Sequence, residues 1–210
     1  MTYLFDFDGT LVDSMPNFSR VMKQILDENG VKYGSDIIKI ITPLGNLGTA
    51  EYFIELGVRK STEELLALMD KYAVEGYTYH IPAKNNVISV LEKLKARGDS
   101  LNVLTASPHN LLDPCLKRLG IFDWFDNVWS CNDFDTTKAD PNIYVMAAEK
   151  MGAAVEDVLF LDDNLNADKT AKAAGMQVCG VYDDTSAEYA EEMKSVCDHY
   201  IYDFSELLEL

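Results

Sequence analysis

Short runs rich in β-branched and aromatic residues recur along the chain, most of them separated by stretches whose apolar residues share one helical face. That alternation limits the chain to a parallel sheet covered by helices. The runs lie at residues 3–7, 101–105, 127–130, 158–162 and 177–181. Residues 86–97 set Val87, Val90, Leu91 and Leu94 on one stripe and stop at Gly98, a natural C-terminal signal. Residues 111–119 repeat the device with Leu112, Cys115, Leu116 and Leu119 ahead of Gly120. Both read as crossover helices, and the predicted class is α/β with a Rossmann-like parallel sheet. A chain of 210 residues, 48% of them hydrophobic, can bury one substantial core, or a core domain that carries a small accessory domain.

One stretch breaks the alternation. Between the first run and residue 85 only helical patterns occur, near residues 18–28, 35–41, 49–55 and 62–79. The expected organisation is a core domain built from residues 1–14 and 82–210, with a helical cap inserted at 15–81. Inserted directly after the first strand, the cap is expected over the carboxyl ends of the strands, where open α/β sheets bind ligands.

The ten residues Leu4 to Asp13, LFDFDGTLVD, carry the sharpest chemical signal. Asp6 and Asp8 alternate with Phe5 and Phe7, so an extended strand directs both carboxylates to one side near its end. Two acids in an apolar strand are costly to bury without a cation, hydrogen bonds or both. Gly9 lets the backbone turn sharply, and Thr10 adds a hydroxyl beside it. A DG pair is also a common turn starter, so this segment by itself leaves a purely structural role open.

The segment DGTLVDS and its leading acids resemble the first motif of the haloacid dehalogenase-like superfamily. Three further segments match that family's motifs in order. LTAS, with Thr105, Ala106 and Ser107, is similar to the second; KADPNIY, with Lys138, resembles the family's lysine segment; LFLDDN followed by AKAAGM looks like the fourth. The resemblance spans essentially the whole chain, and the helical insertion resembles the small cap of the phosphoglycolate phosphatase and β-phosphoglucomutase branch. It implies a magnesium-dependent phosphatase acting on a small phosphorylated metabolite. By the same resemblance Asp6 is the nucleophile that forms an aspartyl-phosphate and Asp8 the acid and base. Thr105 and Lys138 hold and neutralise the phosphoryl group, with Gly9, Thr10, Ala106 and Ser107 around it. Mg2+ is expected on Asp6, the Asp8 carbonyl and Asp163, with Asp162 a further candidate. Two departures stand out: Ala139 follows Lys138 where proline is usual, and Ala167 stands where many relatives carry a second acid. Relatives that cleave carbon–halogen bonds lack an acid at the position of Asp8, so the pair favours phosphoryl transfer.

Other readings are weaker. DDNLNAD alternates like a calcium loop, but Ala167 and Ala173 replace the glycine and glutamate such a loop needs. No GxGxxG turn follows the first strand, which disfavours a dinucleotide-dependent oxidoreductase. A sugar phosphomutase would use the same core residues, and a non-catalytic binder could share the fold. The turn expected at residues 43–48, PLGNLG, is a candidate substrate contact. His80, His109 and His199 belong to no motif; His109 stands near the proposed site but reads as solvent-facing or helix-capping. Acidic residues outnumber basic ones 35 to 18, for a net charge of −17, and no Lys or Arg patch is present, so nucleic acid is not an expected partner. The four scattered cysteines, Cys115, Cys131, Cys179 and Cys197, read as buried reduced thiols. With neither a leader-like start nor an apolar span, the expectation is a cytoplasmic monomer or homodimer with no membrane partner.

Overall fold

The computed structural model describes residues 1–210, which divide into two compact units, Met1–Asp13 with Ile81–Leu210, and Ser14–His80. The first unit is a sheet of six parallel strands: β1 (Thr2–Phe5), β2 (Ser100–Thr105), β3 (Asn127–Ser130), β4 (Val158–Asp162), β5 (Gln177–Val181) and β6 (His199–Ile201). Their order is β3-β2-β1-β4-β5-β6. β1 is therefore central, with Phe5 opposite Val103 of β2 on one side and Leu161 of β4 on the other. A central parallel strand is covered on both faces, and the apolar run Leu4–Phe5 is fully buried accordingly.

Ile143, Tyr144, Ala147 and Ala148 pack on one face with Leu4, Phe160 and Val178. The first unit's helices are α5 (Val87–Ala96), α6 (His109–Arg118), α7 (Asn142–Met151), α8 (Leu165–Ala174) and α9 (Ala190–Val196). The second unit holds α1 (Met15–Glu28), α2 (Ile37–Ile41), α3 (Gly45–Glu55) and α4 (Thr62–Tyr79), with its own core of Val21, Ile25, Leu26, Ile41, Phe53 and Leu65. Ser61 and Glu64 cap α4 reciprocally, each side chain accepting from the other's backbone amide.

The observed elements depart from the predicted ones at several helix ends, in helices α7 to α9, which were given no range, and in the following segments. β1 ends at Phe5, not residue 7, because the Phe7 carbonyl accepts from the Leu11 and Val12 amides and closes a turn. β6 has only three residues, too few to show alternation in the sequence. Residues 43–48 are not a connecting turn: a 3-10 segment, Thr42–Leu44, leads straight into α3, the change of direction confined to Gly45 at φ +64°. No helix is long and apolar enough to cross a membrane; all four cysteines are free, three of them buried as expected, while Cys197 is half-buried.

Candidate active site

The strand order reverses direction around β1, so the loops leaving β1, β2 and β4 meet beyond the carboxyl end of the sheet. A cavity of about 410 Å³ opens there, and among its lining residues are Asp6, Asp8, Thr105, Lys138, Asp162 and Asp163. Ala106, Thr137, Ala139 and Asn164 complete its wall with neighbouring residues.

Asp6 continues the line of β1 by one ladder bond, its amide donating to the Leu161 carbonyl at 2.8 Å. Its side chain is almost wholly buried. Burial raises its carboxyl to about 7, with Asp162 and Asp8 adding to the rise and Lys138 opposing it. Asp8 reaches the same cavity through the turn, not along an extended strand, and accepts a hydrogen bond from the Ser107 hydroxyl. Ser107 is in turn oriented by its amide, which donates to Thr105 Oγ1 at 3.1 Å.

Gly9 is constrained on two counts. It holds φ at +78°, and a Cβ there would lie 2.5 Å from Asp163 Oδ2. Thr10 Oγ1 donates to Asp163 Oδ1 at 3.0 Å. The hydroxyls of Thr10 and Ser107 are thus engaged with the two acids Asp163 and Asp8, and neither residue lines the cavity.

Lys138 lies on the loop after β3 and donates to Asp6 Oδ1 and, at 2.8 Å, to Asp162 Oδ2. Burial works against its charge, but Asp162 and Asp6 outweigh it and hold the ammonium above its usual range. Tyr144 of α7 braces this loop: its hydroxyl sits 3.2 Å from the carbonyls of both Lys138 and Ala167. Asp162 also accepts from the Asn164 amide at 2.8 Å, and Asn164 caps α8 by accepting from Asn166 and Ala167.

Asp6, Asp162 and Asp163 offer carboxylate oxygens that all lie within 4.8 Å of one another. Burial raises Asp163 well above the usual carboxylate range, with Asp162, Asp6 and Asp183 adding to the rise. The buried Asp6 and Asp162 and the half-buried Asp163, beside Asp8 and with Lys138 as their cation, form an all-oxygen donor set with surplus negative charge, which fits a hard divalent cation such as magnesium.

Several residues at or behind the site escaped the sequence reading. Tyr144 lay inside the KADPNIY segment without being singled out. Asp168 is fully buried on α8, with Oδ1 unpartnered and Oδ2 accepting from the Cys197 thiol at 3.3 Å. Burial, then Asp162, pushes its carboxyl up to about 8. Lys84 and Asp183, 2.9 Å apart, sit outside every motif and nothing in the sequence marks them. His109 is partly exposed and pairs with Asp113 and Asp133, away from the cavity lining.

Comparison with known proteins agrees with this arrangement. A family model for haloacid dehalogenase-like hydrolases matches residues 3–181. The phosphoglycolate phosphatase of Escherichia coli (strain K12) is 28% identical over 203 residues, covering 84% of this chain and 79% of its own. That of Yersinia pestis is 28% identical over 185 residues, covering 84% and 78%. Among solved structures, a Thermotoga maritima protein provisionally named a β-phosphoglucomutase superposes with a TM-score of 0.86 at 21% identity, over 99% of this chain and 96% of its own. YfnB of Bacillus subtilis, provisionally named a HAD-hydrolase and solved bound to magnesium, superposes with a TM-score of 0.83 at 17% identity, over 99% and 96%. At these identities the structural likeness is one of fold.

Proposed function

Because the chain belongs to the haloacid dehalogenase-like hydrolase family, we propose that it is a phosphatase that hydrolyses a small phosphomonoester through an aspartyl-phosphate on Asp6. The observation that carries this reading is the meeting of Asp6, Asp8 and Lys138 in one cavity, a nucleophile, a separate acid and a cation within a single wall.

Asp6 attacks phosphorus in line, displacing the alcohol and forming an acyl phosphate that water later cleaves at phosphorus. Asp8 gives its proton to the departing alkoxide and then takes one from the attacking water, as a second carboxyl close to the first is suited to do. Ser107 holds Asp8 in place for both steps. Lys138 keeps Asp6 charged and offsets charge on the phosphoryl oxygens. Thr105 and the backbone amides around Ala106 bind those oxygens. A magnesium ion would be held by Asp6, Asp163 and the Asp8 carbonyl, with Asp162 beside them. When bound it supplies charge that lets the phosphate dianion approach the carboxylates.

The test is phosphate release from a panel of small phosphomonoesters, phosphoglycolate and hexose phosphates among them, with and without magnesium. Magnesium-dependent release that Asp6→Asn lowers by at least about 10³-fold is expected. Release unaffected by Asp6→Asn ends the reading, and isomerised sugar phosphate without free phosphate assigns the same residues to a mutase.

A further inference from the structure

Lys84 belongs to no motif of the family resemblance, yet its ammonium is fully engaged. Nζ donates to the Gly9 carbonyl at 2.6 Å, to the Tyr182 carbonyl at 2.7 Å and to Asp183 Oδ2 at 2.9 Å. A lysine ammonium has three N–H donors, so all are spent on protein acceptors. The pair is shielded from water, the Lys84 and Asp183 side chains being 19% and 8% exposed. Asp183 is itself fixed, because its other oxygen accepts from the Thr185 amide at 2.9 Å and the Thr185 hydroxyl at 2.6 Å.

The backbone on both sides of the grip is also held. The Lys84 amide donates to the Leu11 carbonyl at 3.0 Å, the Asp13 amide donates to the Pro82 carbonyl at 3.0 Å, and Val12 bridges Ala83 antiparallel. On the far side, the Tyr182 amide donates to the Ile201 carbonyl at 2.9 Å, which ties the anchor to β6. Lys84 therefore connects a turn to the β5–β6 edge of the sheet.

That turn carries the chemistry. Gly9 separates Asp8 from Thr10, and a glycine with φ at +78° has no side chain of its own to pin it. Three tethers replace one: Ser107 on Asp8, Asp163 on Thr10, and Lys84 on the peptide between them. The Lys84 tether is a charge-assisted bond, about twice as strong as a neutral one. We propose that Lys84, anchored by Asp183, is a positioning residue that fixes the Asp8–Thr10 turn and so the direction from which Asp8 meets the leaving group. The role in turnover rests on the phosphatase reading above; the grip on the turn does not.

Lys84→Met keeps most of the stem and removes the three donors. In that variant kcat/KM for an alkyl phosphomonoester, whose alkoxide must be protonated as it departs, is expected to fall at least about tenfold, while that for p-nitrophenyl phosphate, a leaving group stable as an anion, falls less than about threefold. Lys84→Arg should restore part of the alkyl activity, since the charge returns in a planar fork that cannot reach all three acceptors. Asp183→Asn, which leaves the two carbonyl bonds, should show the same bias at smaller size. Equal loss on both esters overturns the proposal, because misfolding or lost metal lowers both alike. Hydrogen exchange of the full-length proteins needs no turnover. Amides of residues 9–12 should exchange at least about tenfold faster in Lys84→Met, with β4 unchanged, and unchanged exchange in the turn also overturns the proposal. A loosened turn in a protein that hydrolyses neither ester supports the grip and removes the phosphatase reading. Magnesium-dependent hydrolysis without bias or faster exchange does the reverse.

Discussion

At the scale of single residues, Lys138 and Gly9 make the most exacting demands. Lys138 stands between two buried carboxylates, and Lys138→Met leaves both without their shared counter-charge. In the metal-free protein this should cost about 3–5 kcal/mol, read as a lower urea midpoint. Loss of a preorganised charge at the phosphoryl oxygens should also lower kcat by at least about 10²-fold. A stable, fully active Lys138→Met would remove Lys138 from the site. At Gly9 the obstacle is steric: an alanine meets Asp163 as well as an unfavourable φ. Strain of about 1–3 kcal/mol is expected, with kcat/KM down at least about tenfold as Asp163 is pushed aside; thermal melting and phosphate release measure the two effects separately. The acids Asp6 and Asp8 could be read from the sequence because charge in an apolar strand is rare. Lys84 could not, since its three acceptors come from residues 9, 182 and 183, and nothing local to residue 84 signals them.

At the scale of elements, the helices were more legible than their ends. α4 was expected near residues 62–79 and is found at Thr62–Tyr79; the capping box of Ser61 and Glu64 that fixes its start is a finding of the structure. Ser61→Ala should destabilise the protein by about 1 kcal/mol while leaving turnover well below the melting temperature unchanged; an unaltered melt would show that the capping box contributes nothing. α6 starts at His109, two residues before the predicted 111. His109 opens that helix with Nδ1 2.8 Å from Asp113 and Nε2 2.8 Å from Asp133, in the loop after β3. Both ring nitrogens face carboxylates, so both bonds need the imidazolium. The bond to Asp113 first, then that to Asp133, raises His109 above its ordinary 6.5, with burial opposing; Lys150 also faces Asp133. An imidazole that titrates near 6.5 when unfolded and higher when folded contributes stability fully below 6.5 and loses it as pH rises through the folded value. The melting-temperature gap between the wild type and His109→Gln should therefore be widest near pH 6 and shrink toward pH 9. A gap that grows with pH would mean that the ring is held neutral.

At the scale of the whole molecule, a net charge of −17 makes self-repulsion the dominant long-range force. Raising sodium chloride from about 10 to 150 mM shortens the screening length to about 8 Å and should stabilise the fold. A gain of about 1 kcal/mol would appear as a rise of about 2–4 °C in melting temperature, and a fall would show that attractive pairs outweigh the repulsion.

The sequence by itself determined the α/β class, the helical insertion and the order of the motifs, because these depend on periodicity and on residues close together in the chain. Strand order, the brace of Tyr144 on the Lys138 loop, the burial of Asp168 and the Lys84 grip were decided only by the tertiary structure. They depend on which distant segments a parallel sheet brings side by side. β1 lies beside β2 and β4, 98 and 156 residues away in register. Whether an acid beyond such a strand is solvated or shares a cavity with other acids and a lysine is set by that packing, and local pattern carries no record of it.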